Sequence, residues 1–126
     1  MIVVHKEIVP MLPKDERYDL VSQIKRSSKA APALIAEGFA KRYQDKAWRK
    51  YITDTIGEAN EMVHHLSVCI DIYSSHVDVI KCKALITDYD ISCRQLTKLS
   101  QSWENYNSKN KLPISSIYFP FLISII

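Results

Sequence analysis

Glu61 and His64 stand three residues apart in Glu61-Met62-Val63-His64, a spacing that sets a carboxylate and an imidazole on one face of a helix. Helical bundles that hold two metal ions use two such Glu-x-x-His pairs and two further glutamates. This chain has one copy, and downstream it offers Asp88 and Asp90 but no glutamate before Glu104. Ala59, Val63, Leu66 and Ile70 claim the inward face at this point, which leaves His64 or His65 at its margin. No metal site and no cofactor is expected. Cys69 lies one helical turn from His65, a spacing that any long helix produces by chance. The only glycines, Gly38 and Gly57, are too few for a phosphate-cradling loop, a dinucleotide fingerprint or a serine nucleophile elbow. The expected class is a protein that is not an enzyme.

Charge is placed more tellingly than any nucleophile. The whole chain carries a net charge of +3. Residues 25–50 alone hold eight basic residues (Lys25, Arg26, Lys29, Lys41, Arg42, Lys46, Arg49 and Lys50) against Glu37 and Asp45, a local net of +6. Lys25 and Lys29 share a helix face, as do Lys46 and Lys50, because each pair is four residues apart. Tyr43 and Trp48 are interleaved with the second group and are candidates to stack on bases. A nucleic-acid surface is one reading of this pattern, and a solvated face around one inter-helix turn is the other. A ring of subunits would repeat the patch about an axis and sum its field on a polyanion.

The elements that must position these residues read as helices. The 126 residues suffice for one domain, and few glycines argue against a sandwich of many hairpins. Residues 1–11 predict a short, weakly helical stub, rich in β-branched side chains. Leu12 to Arg17 read as a turn into a helix whose apolar face runs through Leu20, Ile24, Ser27, Ala31, Leu34/Ile35 and Phe39, with a kink or local break expected at Pro32. Gly38 predicts the end of that helix through a positive φ. Glu37, unfavourable at a helix C-terminus, is expected to pair with Arg42, or with Arg17 or Arg26 of a neighbour. The next helix carries its face on Trp48, Ile52, Ile56, Ala59, Val63, Leu66, Ile70 and Tyr73, and Ser74-Ser75-His76 connects it onward. The last shows a seam of Cys82, Leu85, Tyr89, Ser92, Leu96, Leu99, Trp103 and Tyr106, in alternating steps of three and four. The expected fold is all-α, an up-down antiparallel four-helix bundle with a shortened first helix.

Two further features bound the setting. Cys69, Cys82 and Cys93 show no C-x-x-C spacing and read as reduced thiols of a cytoplasmic protein. Met1-Ile-Val-Val-His-Lys lacks a charged region followed by a long apolar stretch, so no signal peptide is expected. After Lys111 comes the uncharged stretch LPISSIYFPFLISII, too short and too proline-broken for a membrane span. The domain is expected over residues 1–111, with 112–126 as an apolar extension.

Residues 12–42 carry a longer pattern: Leu-Pro-Lys-x-Glu-Arg at 12–17, Leu20, Gln-Ile-Lys-Arg-Ser-Ser at 23–28, and Pro-x-x-Ile-Ala-Glu-Gly-Phe at 32–39. This stretch resembles the signature of a bacterial four-helix-bundle family, that of the protein encoded in intervening sequences of 23S ribosomal RNA genes. Similarity continues more loosely over residues 44–106, where Tyr51 and Gly57-Glu58-Ala59-Asn60-Glu61 also look like the family. The resemblance implies a bundle that assembles as a homopentamer. The family includes relatives of an accessory protein of diversity-generating retroelements that binds nucleic acid and a reverse transcriptase, and the resemblance implies no catalytic residues. By position, Arg17, Lys25, Arg26, Lys41 and Arg42 become candidates for a basic surface; with Lys29, Lys46, Arg49 and Lys50 they make up the candidate binding set. The function expected is binding of structured RNA or other nucleic acid, with recruitment of a partner enzyme such as a reverse transcriptase as the alternative. The chain departs from the resemblance at both ends. Only eleven residues precede the Leu-Pro-Lys turn, so either the start is truncated or the first helix is a stub. The apolar extension is expected either to fill the groove beside that stub or to have no role.

Overall fold

A computed structural model describes residues 1–109, and among these the chain is all-α with no strand. Three long helices carry the fold: α1 (Leu20–Ala40), α2 (Asp45–Ile72) and α3 (Val79–Lys109). A short helical stub precedes them, a wide π-type turn over Val4–Ile8 that tightens into a 3-10 turn over Val9–Met11. A second 3-10 turn, Lys14–Glu16, leads into α1. The side chain of Tyr106 and the stretch 112–126, with the groove-filling role expected for it, lie outside the described residues.

The helix ends have identifiable causes. The Glu16 carboxylate accepts the Leu20 N–H at 3.3 Å, satisfying one of the donors that the first turn of α1 leaves open. Glu16 also accepts the Tyr73 hydroxyl from the far end of α2, which pushes the phenol up to about 12. Asp78 plays the capping part for α3, its Oδ1 accepting the Lys81 N–H at 3.1 Å. Asp45 sits in the first turn of α2, where the helix dipole favours a negative charge.

α2 is the shared wall. It packs on α1 along one flank and on α3 along the other, and the stub leans on α1. Arg26 of α1 meets Glu58 and Glu61 of α2, while Gly38 faces Tyr51 and Trp48. Between α2 and α3, Trp48 meets Trp103, and the Cys93 thiol reaches Asn60 at 3.8 Å. Val4 and Ile8 of the stub are fully buried, Glu7 pairs with Lys81 of α3, and His5 is hydrogen-bonded to Ser28 of α1 at 2.8 Å.

Several sequence expectations need correction. The buried stripe of α2 is Trp48, Ile52, Thr55, Ala59, Met62, Leu66 and Cys69; the expected Ile56, Val63 and Ile70 are only half-buried. Thr55 can be buried because its hydroxyl is satisfied by the Tyr51 carbonyl at 2.7 Å. α1 runs unbroken through Pro32, flanked by the fully buried Ala31 and Ile35, whose packing sustains the helix where propensity does not. Gly38 does not end α1. It lies buried inside the helix without a positive φ, and a Cβ there would stand 2.7 Å from the Cβ of Tyr51. The glycine is a point of close approach between helices. In α3, by contrast, Cys82, Tyr89, Ser92, Leu96, Leu99 and Trp103 are buried where the heptad seam places them, with Leu85 half-buried.

Candidate nucleic-acid interface

The nine candidate basic residues divide by what holds them. Arg26 is committed to carboxylates: its Nη1 donates to Glu58 at 3.0 Å, its Nη2 to Glu61. The Ser27 hydroxyl also donates to Glu61, and this bond, ahead of the Arg26 charge, holds that carboxyl below its ordinary range. Arg49 pairs with Glu104 of α3 at 3.2 Å, and Lys50 with Asp54 one turn along α2. Three of the eight cations in residues 25–50 are thus balanced by acids from outside that segment.

The remaining cations fall into two groups. At the α1–α2 turn, Arg42 lies between two rings, its Cζ 4.1 Å from the Phe39 centroid and 4.5 Å from that of Tyr43. Its Nη1 donates to the Phe39 carbonyl at 2.8 Å, beside the Arg42 backbone N–H that the same carbonyl accepts at 3.2 Å. Within the chain, then, the expected Glu37 partner Arg42 turns instead to a carbonyl and two rings. Lys41 donates to the Tyr51 hydroxyl at 3.0 Å and sits over that ring, while Lys46 is exposed on the first turn of α2. The second group surrounds the stub. Lys25 and Lys29 are exposed on the side of α1 that faces His5, and Lys6 and Lys29 share an apolar cleft with Met1, Ile2 and His5. Arg17 stands apart, over the ring of Tyr18.

Of the two aromatics expected to stack on bases, only Tyr43 can. It is 68% exposed, whereas Trp48 is 1% exposed and packs against Trp103 in the core. Phe39 and Tyr51, which seat Arg42 and Lys41, were missed by the sequence reading. The short-range spacing of Phe39, Arg42 and Tyr43 was the available signal, since residues three apart share a helix face.

The residues weighed for other chemistry are placed elsewhere. Among the described residues, no group of three or more His, Cys, Asp and Glu is placed to hold a metal ion. Burial pushes all three thiols up, Cys69 to about 12, so none is poised as a thiolate. No helix among the described residues is long and apolar enough to cross a membrane.

Comparison of the whole sequence with protein families decides the kinship. A model of the 23S rRNA-intervening sequence protein family matches residues 2–102. The chain belongs to that family. The match spans the stub, α1, α2 and most of α3, including both groups of uncommitted cations. No curated protein and no solved structure matches the chain. Within this 23S rRNA-intervening sequence protein family member, then, the basic residues are assigned from geometry alone.

The cations around the stub have a consequence for stability. His5 is held below the usual histidine range by burial first, then by Lys29, Lys25 and the N-terminal amine. His65 is lowered as well, by burial and then His64, with Glu61 and Asp19 opposing. A histidine whose pKa is lower folded than unfolded binds fewer protons in the native state, so stability falls as pH drops past the unfolded value of 6.5. Thermal melts at pH 7.5 and 5.5 are expected to show a lower Tm at the acid value. His5→Gln should shrink that difference, and an equal difference in variant and parent would exclude His5 as its source.

Proposed function

We propose that this chain is a non-catalytic helical bundle that binds structured RNA or other nucleic acid through the basic surface of α1 and the α1–α2 turn. The four helical elements are read as an up-down antiparallel bundle. Supporting this, rising residue numbers on α1 meet falling numbers on α2, and the Trp48–Trp103 and Asn60–Cys93 contacts repeat the pattern between α2 and α3. The observation that carries the binding reading is the way Lys41 and Arg42 are seated. Both are held by aromatic rings and neutral oxygens and neither forms an ion pair among the described residues, Glu37 acting on Lys41 only as the weakest influence on it. Lys25, Lys29 and Lys46 add exposed charge. Assembly as a homopentamer would repeat this surface around an axis.

The test is fluorescence anisotropy with a folded ribosomal RNA fragment and with duplex DNA at two salt concentrations. Binding is expected to weaken steeply with salt, as it does when several phosphates are contacted. Lys46→Glu combined with Lys41→Glu should weaken it by more than about tenfold and flatten the salt slope by about one per lost phosphate contact. Arg26→Glu, at a residue already spent on α2, serves as the contrast. Unchanged affinity in the double variant of a folded protein would overturn the assignment.

A second reading, a scaffold that recruits a partner enzyme, is favoured by an acidic cleft where α2 meets Leu34 of α1. There Asp54, Glu58 and Glu61 surround Gly57, beside which nothing stands within 4 Å of an added Cβ. Partner capture that survives the loss of nucleic-acid binding would select this reading.

A further inference from the structure

We propose that Tyr43 and Arg42 form a seat for one unpaired nucleotide, with its base on the face of the Tyr43 ring turned away from the Arg42 guanidinium, which covers the other face at 4.5 Å, and its phosphate on the free edge of that guanidinium. This rests on the nucleic-acid reading above and narrows it to strands with accessible bases. Tyr43 combines high exposure with a fixed position. It is 68% exposed, yet its ring lies 5.9 Å from that of Trp103, tilted by 57°, and its hydroxyl accepts Arg42 Nη2 at 3.3 Å. Trp103 is 2% exposed and packed in turn on Trp48, so the outer ring stands on a buried aromatic base. A ring already held in place loses little freedom when a ligand stacks on it.

Arg42 is fixed with the same economy. Two of its five N–H donors reach Phe39 and Tyr43, and none of its described contacts is a carboxylate. The remaining donors are available for the bidentate grip that guanidinium gives a phosphate. Lys41 and Lys46, close by in the chain, supply charge for the flanking phosphates. A single aromatic face cannot engage bases stacked inside a duplex, but it suits a loop, bulge or end whose base is splayed out.

The experiment uses the full chain and two probes of equal length, a single-stranded oligonucleotide and its duplex, with binding read by anisotropy. The parent is expected to prefer the single strand. Tyr43→Ala should bind the single strand about tenfold more weakly and the duplex unchanged, while Tyr43→Phe, which keeps the ring and gives up only the bond from Arg42, should lose less than about threefold. A 5-iodouracil-substituted strand irradiated on the unmodified protein should cross-link at Tyr43, which tests the seat even if the alanine variant fails to fold. Equal loss on both probes, or cross-linking confined to other residues, would overturn the seat and leave the basic surface standing. Absence of binding to either probe at low salt would overturn both.

Discussion

Replacing Trp48 with alanine is expected to destabilise the protein by about 3–5 kcal/mol, a large part of the ~5–15 kcal/mol that holds a domain together. Trp48 is 1% exposed and sits where the end of α1, the start of α2 and the far part of α3 meet. Its ring centroid lies 5.9 Å from that of Trp103 and its edge 3.5 Å from where a Cβ on Gly38 would stand, so its removal leaves a void bordered by all three helices. Small residues cannot collapse into such a junction without shifting a helix, which is what makes the cavity expensive. The indole Nε1 makes no hydrogen bond among the described residues, so Trp48→Phe forfeits area alone and should lose less than about 2 kcal/mol. Denaturant melts of the two variants check both figures. Similar losses in both would mean that the indole edge has a partner.

The same chemical change at the two glycines is expected to act with opposite sign. At Gly38 an added methyl meets the Tyr51 Cβ at 2.7 Å, an atom fixed to the α2 backbone that cannot swing aside. The helices must part, and after allowing for the better helix propensity of alanine the net loss is about 1–2 kcal/mol. At Gly57, exposed in the middle of α2, nothing stands within 4 Å, and alanine should gain up to about 1 kcal/mol. The Tm values should diverge in opposite directions from the parent, by about 3–5 °C per kcal/mol. A stabilised Gly38→Ala variant would show that α1 and α2 are not held at this distance.

These residues also show how much was legible beforehand. The α3 seam is correct nearly to the residue because its large apolar groups recur in strict three-four steps with polar neighbours. α2 misled by one column. Ile56, Val63 and Ile70 outrank Thr55, Met62 and Cys69 in hydrophobicity, and only the fold reveals that Thr55 can spend its hydroxyl on Tyr51. Gly38 was read locally as a helix terminator, since its partner Tyr51 lies on another helix. The basic segment was visible as charge. Which cations are cancelled was not, because Glu58, Glu61 and Glu104 come from other parts of the chain.

The arrangement of α2 between its two neighbours also bears on how the chain reaches this state. Both major packings join helices consecutive in sequence, so most of the core can condense from local hairpins, a low-contact-order topology that folds quickly. The stub is the exception. Its tie to Ser28 spans only 23 residues and can form with the first hairpin. The pairing of Glu7 with Lys81, like the Tyr73 bond to Glu16 across 57 residues, joins segments that meet only once the long helices are packed. The pairing of Glu7 with Lys81 is therefore expected to close late, a latch on a bundle already formed, and pulsed hydrogen exchange that protects residues 4–8 before α3 would contradict it.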